Sequence, residues 1–249
     1  MKMQRVVAIS GGSRGIGRSI AEFFLRQGYA VAVCARSSRD PSLPHSIFYQ
    51  QADVRCREEV QRFIRAILER FEALDILINA AGISRWKTLE ELEESFVKDL
   101  IETNVCGTLW TCQAAAAGMR SGGCIVNISS LAGKRGSSNN SVYCATKFAV
   151  NGITQALAKE LGARGIRVNA VCPVYVETEH ILTSLAENTP PAQGESVQAY
   201  LASFAKAQTA LGRLPTAQEV AEVVYFLASP EASAITGQCL NVDCGTLPQ

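Results

Sequence analysis

The chain has 249 residues, 47% of them hydrophobic and 19% charged, with a net charge of +1. That balance carries no general attraction for nucleic acid or an anionic membrane, so a partner must be held at a local site. The length allows one large core, and the reading is a single domain over residues 1–249.

The opening "MKMQRVVAIS" is basic, but its apolar run ends at Gly11 and Gly12, which predicts a first strand instead of a signal peptide or membrane span. "SGGSRGIGRSI" follows, with Gly11, Gly15 and Gly17 spaced Gly-x3-Gly-x-Gly ahead of a helix expected over 15–28. Glycines there permit a tight turn and let backbone N–H groups at a helix N-terminus approach a pyrophosphate. The second strand, "AVAVCA", runs into "CARSS" with no carboxylate from Cys34 to Ser38. A carboxylate at that strand end would bind a ribose 2′-hydroxyl, whereas arginine accommodates a 2′-phosphate. Arg36, joined by Arg14 from the glycine loop, therefore favours NADP(H).

Only "RSSRDPSLPH" separates this strand from the third, "SIFYQQ", and Pro41 and Pro44 argue for an abbreviated connection without a full helix. After Cys56 a helix is expected with Val60, Phe63, Ile64, Ile67, Leu68 and Phe71 on one face and Glu58, Arg62, Arg65 and Glu69 outward. "DILINA", "GCIVNIS", "IRVNAVCP" and "QCLNVD" read as four more strands, with helices near 92–118, 142–163 and 216–228 and less regular ones within 179–211. Seven strands alternating with helices predict an α/β fold, a doubly wound parallel sheet with helices on both faces. "ENTPPAQGES", residues 187–196, interrupts the helical region and suggests a mobile lid over about 179–213.

Nine cysteines occur without a Cys-x-x-Cys pair, several inside strand-like runs, which fits small buried thiols in a reducing cytoplasm. With only His45 and His180 and no clustered thiols, no metal site is expected. "SVYCATKF" places Tyr143 and Lys147 one helical turn apart. A phenol of ordinary pKa about 10 is a poor acid–base group near neutrality. An ammonium about 5 Å away at an effective dielectric of about 20 would favour the phenolate by about 3 kcal/mol.

Together these residues resemble the short-chain dehydrogenase/reductase family over essentially the whole chain. "SGGSRGIG" is similar to its cofactor loop, Asp53 and Val54 in "ADV" to its adenine-contacting segment, and "NAAG" at 79–82 to its strand-four motif. Asn104 in "ETNVCG" resembles its catalytic asparagine, and Ser130, Tyr143 and Lys147 its Ser-x12-Tyr-x3-Lys site. The flavour is that of 3-oxoacyl-carrier-protein and polyketide ketoreductases. The resemblance implies catalytic roles for Asn104, Ser130, Tyr143 and Lys147. Tyr143 would pass the proton, Ser130 would bond the substrate oxygen, Lys147 would hold the nicotinamide ribose, and Asn104 would position a water. It implies cofactor contacts from Gly11, Ser13, Arg14, Gly15, Ile16, Gly17, Arg36, Asp53, Val54, Asn79, Ala80, Gly82, Tyr143, Lys147, Pro173, Val176 and Thr178.

Two positions depart from the family pattern: Val174 follows Pro173 where glycine is common, and Ala80 replaces an asparagine. Ser84, Arg85, Trp86, Lys134, Arg135, Tyr175, Glu179 and His180 fall beside the expected site without a role read from the sequence. The leading expectation is an NADPH-dependent reductase passing hydride to a ketone, with a 3-oxoacyl thioester as one candidate. The alternatives are an NAD-dependent secondary alcohol dehydrogenase and a non-catalytic dinucleotide-binding subunit. A homotetramer, or a dimer, is implied through the helices at 92–118 and 143–163, with no nucleic acid or membrane partner.

Overall fold

In the computed structural model, which describes residues 4–186, 191–192 and 194–248 apart from the side chain of His180, the apolar runs assemble into one sheet. Its strands are β1 (Val6–Ser10), β2 (Ala30–Ala35), β3 (Phe48–Gln51), β4 (Ile76–Asn79), β5 (Cys124–Ile128), β6 (Arg167–Pro173) and β7 (Cys239–Val242). Every pairing is parallel and the order is β3-β2-β1-β4-β5-β6-β7. The strand order reverses at β1, and the chains leaving β1 and β4 diverge to open a crevice at the carboxyl ends of the strands.

β1 shows why both faces are covered. Val7 and Ile9 point into a core with Ile20 and Phe24 of α1 (Gly15–Arg26) and Val220, Val224 and Leu227 of α8 (Ala217–Ala228). Val6 and Ala8 point the other way, toward Phe63, Ile64 and Ile67 of α2 (Arg57–Phe71), Cys112 and Ala115 of α4 (Gly107–Gly118) and Ala158 of α5 (Ser141–Gly162). A strand apolar at every position has two faces to bury, and helices supply both covers.

The β2–β3 connection is short and non-helical, as its prolines predict. Arg39 organises it, donating to the carbonyl oxygens of Ile47, Leu43 and Pro44 at 3.0, 3.1 and 2.7 Å. These bonds satisfy carbonyls that a crossover helix would have paired internally.

The helix expected over 92–118 is not continuous. α3 (Glu94–Ile101) passes into a π-helical turn over Glu102–Cys106 before α4 begins. A wide turn of this kind inserts a residue and resets which side chains face inward, often beside a functional site. Here it buries Thr103 and Asn104. α6 (Glu179–Leu185) and α7 (Val197–Gln208) occupy the less regular region. The expected lid interruption lies between them, and its residues 187–190 and 193 are outside the described residues. No helix among the described residues is long and apolar enough to cross a membrane.

Candidate active site

A cavity of about 610 Å³ opens at the crevice predicted from the strand order. One end is built by the β1–α1 turn. Gly11 stands at φ +71°, a left-handed conformation suited to glycine, and a Cβ there would lie 2.6 Å from Ala81 Cα. A Cβ on Gly17 would collide with the Gly11 carbonyl oxygen. α1 starts here with no acidic residue in its first turn, so its free N–H groups face an uncancelled site for anions. Arg14 and Arg36 line the same end, exposed, their side chains without a hydrogen bond or ion pair among the described residues. No carboxylate lines the cavity among those residues. Thr103 also lines it, and its buried Oγ1 has no hydrogen-bond partner. This cradle, rich in cations and backbone donors, fits the dinucleotide expected from the glycine spacing.

The middle of the cavity holds the Ser-Tyr-Lys group. Ser130 ends the extended segment after β5 and caps the short 3₁₀ turn Leu131–Gly133, its Oγ accepting from Ala132 N at 3.1 Å. That bond occupies a lone pair and leaves the hydroxyl proton for a neighbour. Tyr143 and Lys147 sit on the first turns of α5, with the Lys147 Nζ 5.6 Å from the Tyr143 ring centroid and donating to Ile128 O at 2.9 Å.

Electrostatics here differ from the expectation drawn from spacing. Burial pushes the Tyr143 phenol up to about 12, with hydrogen bonds from Ser130 and Ser84 pulling weakly the other way. Burial likewise pushes Lys147 down to about 8. The ammonium is itself desolvated and aimed at a carbonyl, so its attraction for a phenolate does not overcome the cost of a buried charge. Tyr143 is therefore held neutral at pH 7.

The lysine shift makes a stability prediction. Its folded pKa of about 8 lies below the ordinary 10.5, so between those values the unfolded chain binds more protons and stability rises with pH. Below pH 8 both states are charged and the burial cost is complete. Relative to Lys147→Met, the wild type should gain about 3 kcal/mol between pH 8 and 10.5. Urea unfolding of both proteins across that window checks it, and a flat difference refutes it.

Of the residues singled out from the sequence, Gly11, Ser13, Arg14, Gly15, Ile16, Gly17, Arg36, Val54, Ala80, Gly82, Ser130, Tyr143, Lys147, Pro173, Val176 and Thr178 all line the cavity. Three do not. Asp53 turns its carboxylate to Arg55, at 2.6 Å, and leaves the wall to Ala52 and Val54. Asn79 is buried in a polar chain, accepting from Thr111 Oγ1 at 2.6 Å and donating to Asn127 Oδ1 at 2.9 Å. Asn127 in turn donates to Thr154 at 2.9 Å, tying β4 and β5 to α5. Asn104 uses its whole amide internally: Oδ1 accepts from Ile83 N at 2.9 Å, while Nδ2 donates to Ile83 O at 2.9 Å and Thr146 Oγ1 at 3.0 Å. Its side chain braces the segment before Ser84 and the residue before Lys147.

Ser84, without a role from the sequence, also lines the cavity, and its hydroxyl lowers the pKa of the Tyr143 phenol against the effect of burial. Trp86, Arg135 and Tyr175 also line the cavity, together with Tyr200 and Phe204 from α7, which sequence reasoning missed. No spacing rule links a helix so far along the chain to Tyr143. Arg85 instead pairs with Asp99 at 2.7 Å. The side chain of His180 lies outside the described residues.

Comparison with known proteins matches residues 11–246 to a family model described as Enoyl-(Acyl carrier protein) reductase. The chain is 35% identical to the 3-oxoacyl-[acyl-carrier-protein] reductase FabG of Staphylococcus aureus, over 98% of this chain and 99% of the relative. Among solved structures, ligand-free aldohexose dehydrogenase of Thermoplasma acidophilum superposes with a TM-score of 0.88 at 31% identity, covering 99% of this chain and 98% of that one. ElxO with NADP bound gives 0.86 at 32% identity, covering 99% and 100%.

Proposed function

Because the chain belongs to the short-chain dehydrogenase/reductase family, an oxidoreductase family, we propose that it reduces a ketone with NADPH, using Tyr143 as the proton donor. The observation that carries this reading is the single wall on which Ser130, Tyr143 and Lys147 meet beside the glycine cradle. The bound dinucleotide would supply hydride; the chain's residues do the rest. Ser130 and Tyr143 hydrogen-bond the carbonyl oxygen and stabilise negative charge as it develops there. The neutral phenol then gives up its proton to that oxygen. Lys147 would hold the ribose hydroxyls and its charge would favour the transient phenolate, which regains its proton from solvent. Asn104 is a positioning residue in this scheme, since its amide locks Ile83 and Thr146. Asp53 and Asn79 act on the cofactor only through the backbone segments they anchor.

The choice of NADPH over NADH rests on Arg14 and Arg36. The NADP in the ElxO complex is in keeping with it. Arg36→Asp should raise the NADPH Kd about 100-fold, the loss of a charge-assisted pair plus a new repulsion. Fluorescence titration with both dinucleotides reads it, and a preference for NADPH that survives the change removes the argument. NADPH oxidation over a panel of ketones, aldehydes and alcohols tests the activity itself; tight NADPH binding without any turnover would leave the non-catalytic reading standing.

We also propose a cytoplasmic location and a homotetramer, or a dimer, as the assembly. Ile101, Leu109 and Phe148 on α3, α4 and α5 are exposed apolar residues, and the alanines of α4 let a second helix approach closely. Sedimentation as a monomer would contradict that assembly.

A further inference from the structure

The two ends of the cavity differ in chemistry. Beyond Tyr143 the wall is aromatic: Tyr175 packs edge-on against Phe204 with centroids 4.9 Å apart and against Tyr200 at 6.0 Å. Trp86, only 7% exposed, closes the group against α7 and shares a cluster with Tyr175 and Tyr200. Rings set edge to face present alternating edges and faces that a further ring complements. Val174, next to Tyr175 in the chain, also lines the cavity.

Arg135 stands in this half, on the exposed loop after the 3₁₀ turn. It makes no side-chain hydrogen bond or ion pair among the described residues, yet its charge reaches the partly buried Tyr175 phenol. Arg14 and Arg36 answer the dinucleotide at the opposite end, and Lys147 answers the ribose. Arg135 is thus a cation left over beside an aromatic wall, in a cavity whose described lining holds no carboxylate. A cationic substrate would find no counter-charge among those lining residues.

We propose that the substrate is a small aryl ketone bearing a carboxylate or phosphate, its ring seated among Trp86, Tyr175, Tyr200 and Phe204 and its anion paired with Arg135. This rests on the reductase reading above. The carbonyl carbon gains hydride from NADPH and the oxygen gains the Tyr143 proton, leaving a secondary alcohol with ring and anion unchanged.

The test is steady-state NADPH oxidation with 4-acetylbenzoate, 4-acetylphenyl phosphate, neutral acetophenone, aliphatic levulinate and a cysteamine 3-oxoacyl thioester. One of the anionic aryl ketones should exceed both acetophenone and levulinate in kcat/KM by about tenfold or more, mainly through KM, and the margin over acetophenone should shrink with salt. Arg135→Gln should bring the ratio to acetophenone within about threefold of one. Comparable values for acetophenone or levulinate, a preference that survives Arg135→Gln, or a better thioester would each overturn the proposal. Should no ketone turn over, the reductase reading fails by itself, and binding to the Tyr143→Phe protein with NADPH still decides the ligand class. There 4-acetylbenzoate or the phosphate should bind about tenfold more tightly than acetophenone; equal affinities, or no binding, overturn it.

Discussion

Replacing Tyr143 by phenylalanine should lower kcat about 1,000-fold and leave the NADPH Kd within about threefold of its original value. The ring fills the same space, so the cavity wall is retained; what disappears is the hydroxyl proposed as proton donor and as one of two hydrogen bonds to the developing oxyanion. Burial sets the size of this effect. Because the phenol is pushed up to about 12, almost every molecule carries the proton at neutral pH, and the substitution removes it from all of them. Lys147 is the nearest cation, but its Nζ is directed to Ile128 O at 2.9 Å. The measurement pairs steady-state NADPH oxidation with fluorescence titration of NADPH. Turnover within tenfold of the original enzyme would eliminate Tyr143 as the proton donor, and a parallel loss of NADPH binding would show that the substitution had acted on structure.

Gly17→Ala should weaken NADPH binding by more than about 100-fold and destabilise the fold by about 1–3 kcal/mol. The new methyl would run into the Gly11 carbonyl oxygen and lie 3.2 Å from Ala80 Cβ. Neither neighbour can give way easily. Gly11 is pinned by its N–H bond to Cys34 O at 2.8 Å and by its contact with the Ala80–Ala81 backbone. α1 must therefore lift away from the turn, carrying off the N–H groups that would meet the pyrophosphate. Gly15→Ala is the informative control. Its position is left-handed at φ +55° but open, with the nearest atom at 3.6 Å, so it costs about 1–2 kcal/mol of backbone strain without blocking the cradle. Equal NADPH affinities for the two variants would show that close approach at Gly17 is not what shapes the site.

Much of this geometry was legible before folding because it is local. Gly11, Gly15 and Gly17 lie within one strand–turn–helix unit, and Tyr143 and Lys147 share a face of α5 by helical spacing alone. The apolar runs in both phases of β1 likewise announce a strand covered on two sides. The partners of other residues are set by neighbours from elsewhere in the chain and could not be read from spacing. Asp53 faces Arg55 instead of the cavity, Asn79 is fastened to Asn127 and Thr111, and the π-helical turn around Asn104 cannot be told from ordinary helix by a three- or four-residue period.

The amino-acid sequence by itself determined the parallel α/β architecture, the glycine turn ahead of α1 and the Ser130–Tyr143–Lys147 group, since hydrophobic period and glycine spacing act over a few residues. Only the tertiary structure decided the ionisation of Tyr143 and Lys147 and the aromatic wall of Trp86, Tyr175, Tyr200 and Phe204 with Arg135 beside it. Desolvation and pocket shape depend on which distant segments pack together, and no spacing along the chain encodes how deeply a charge is buried.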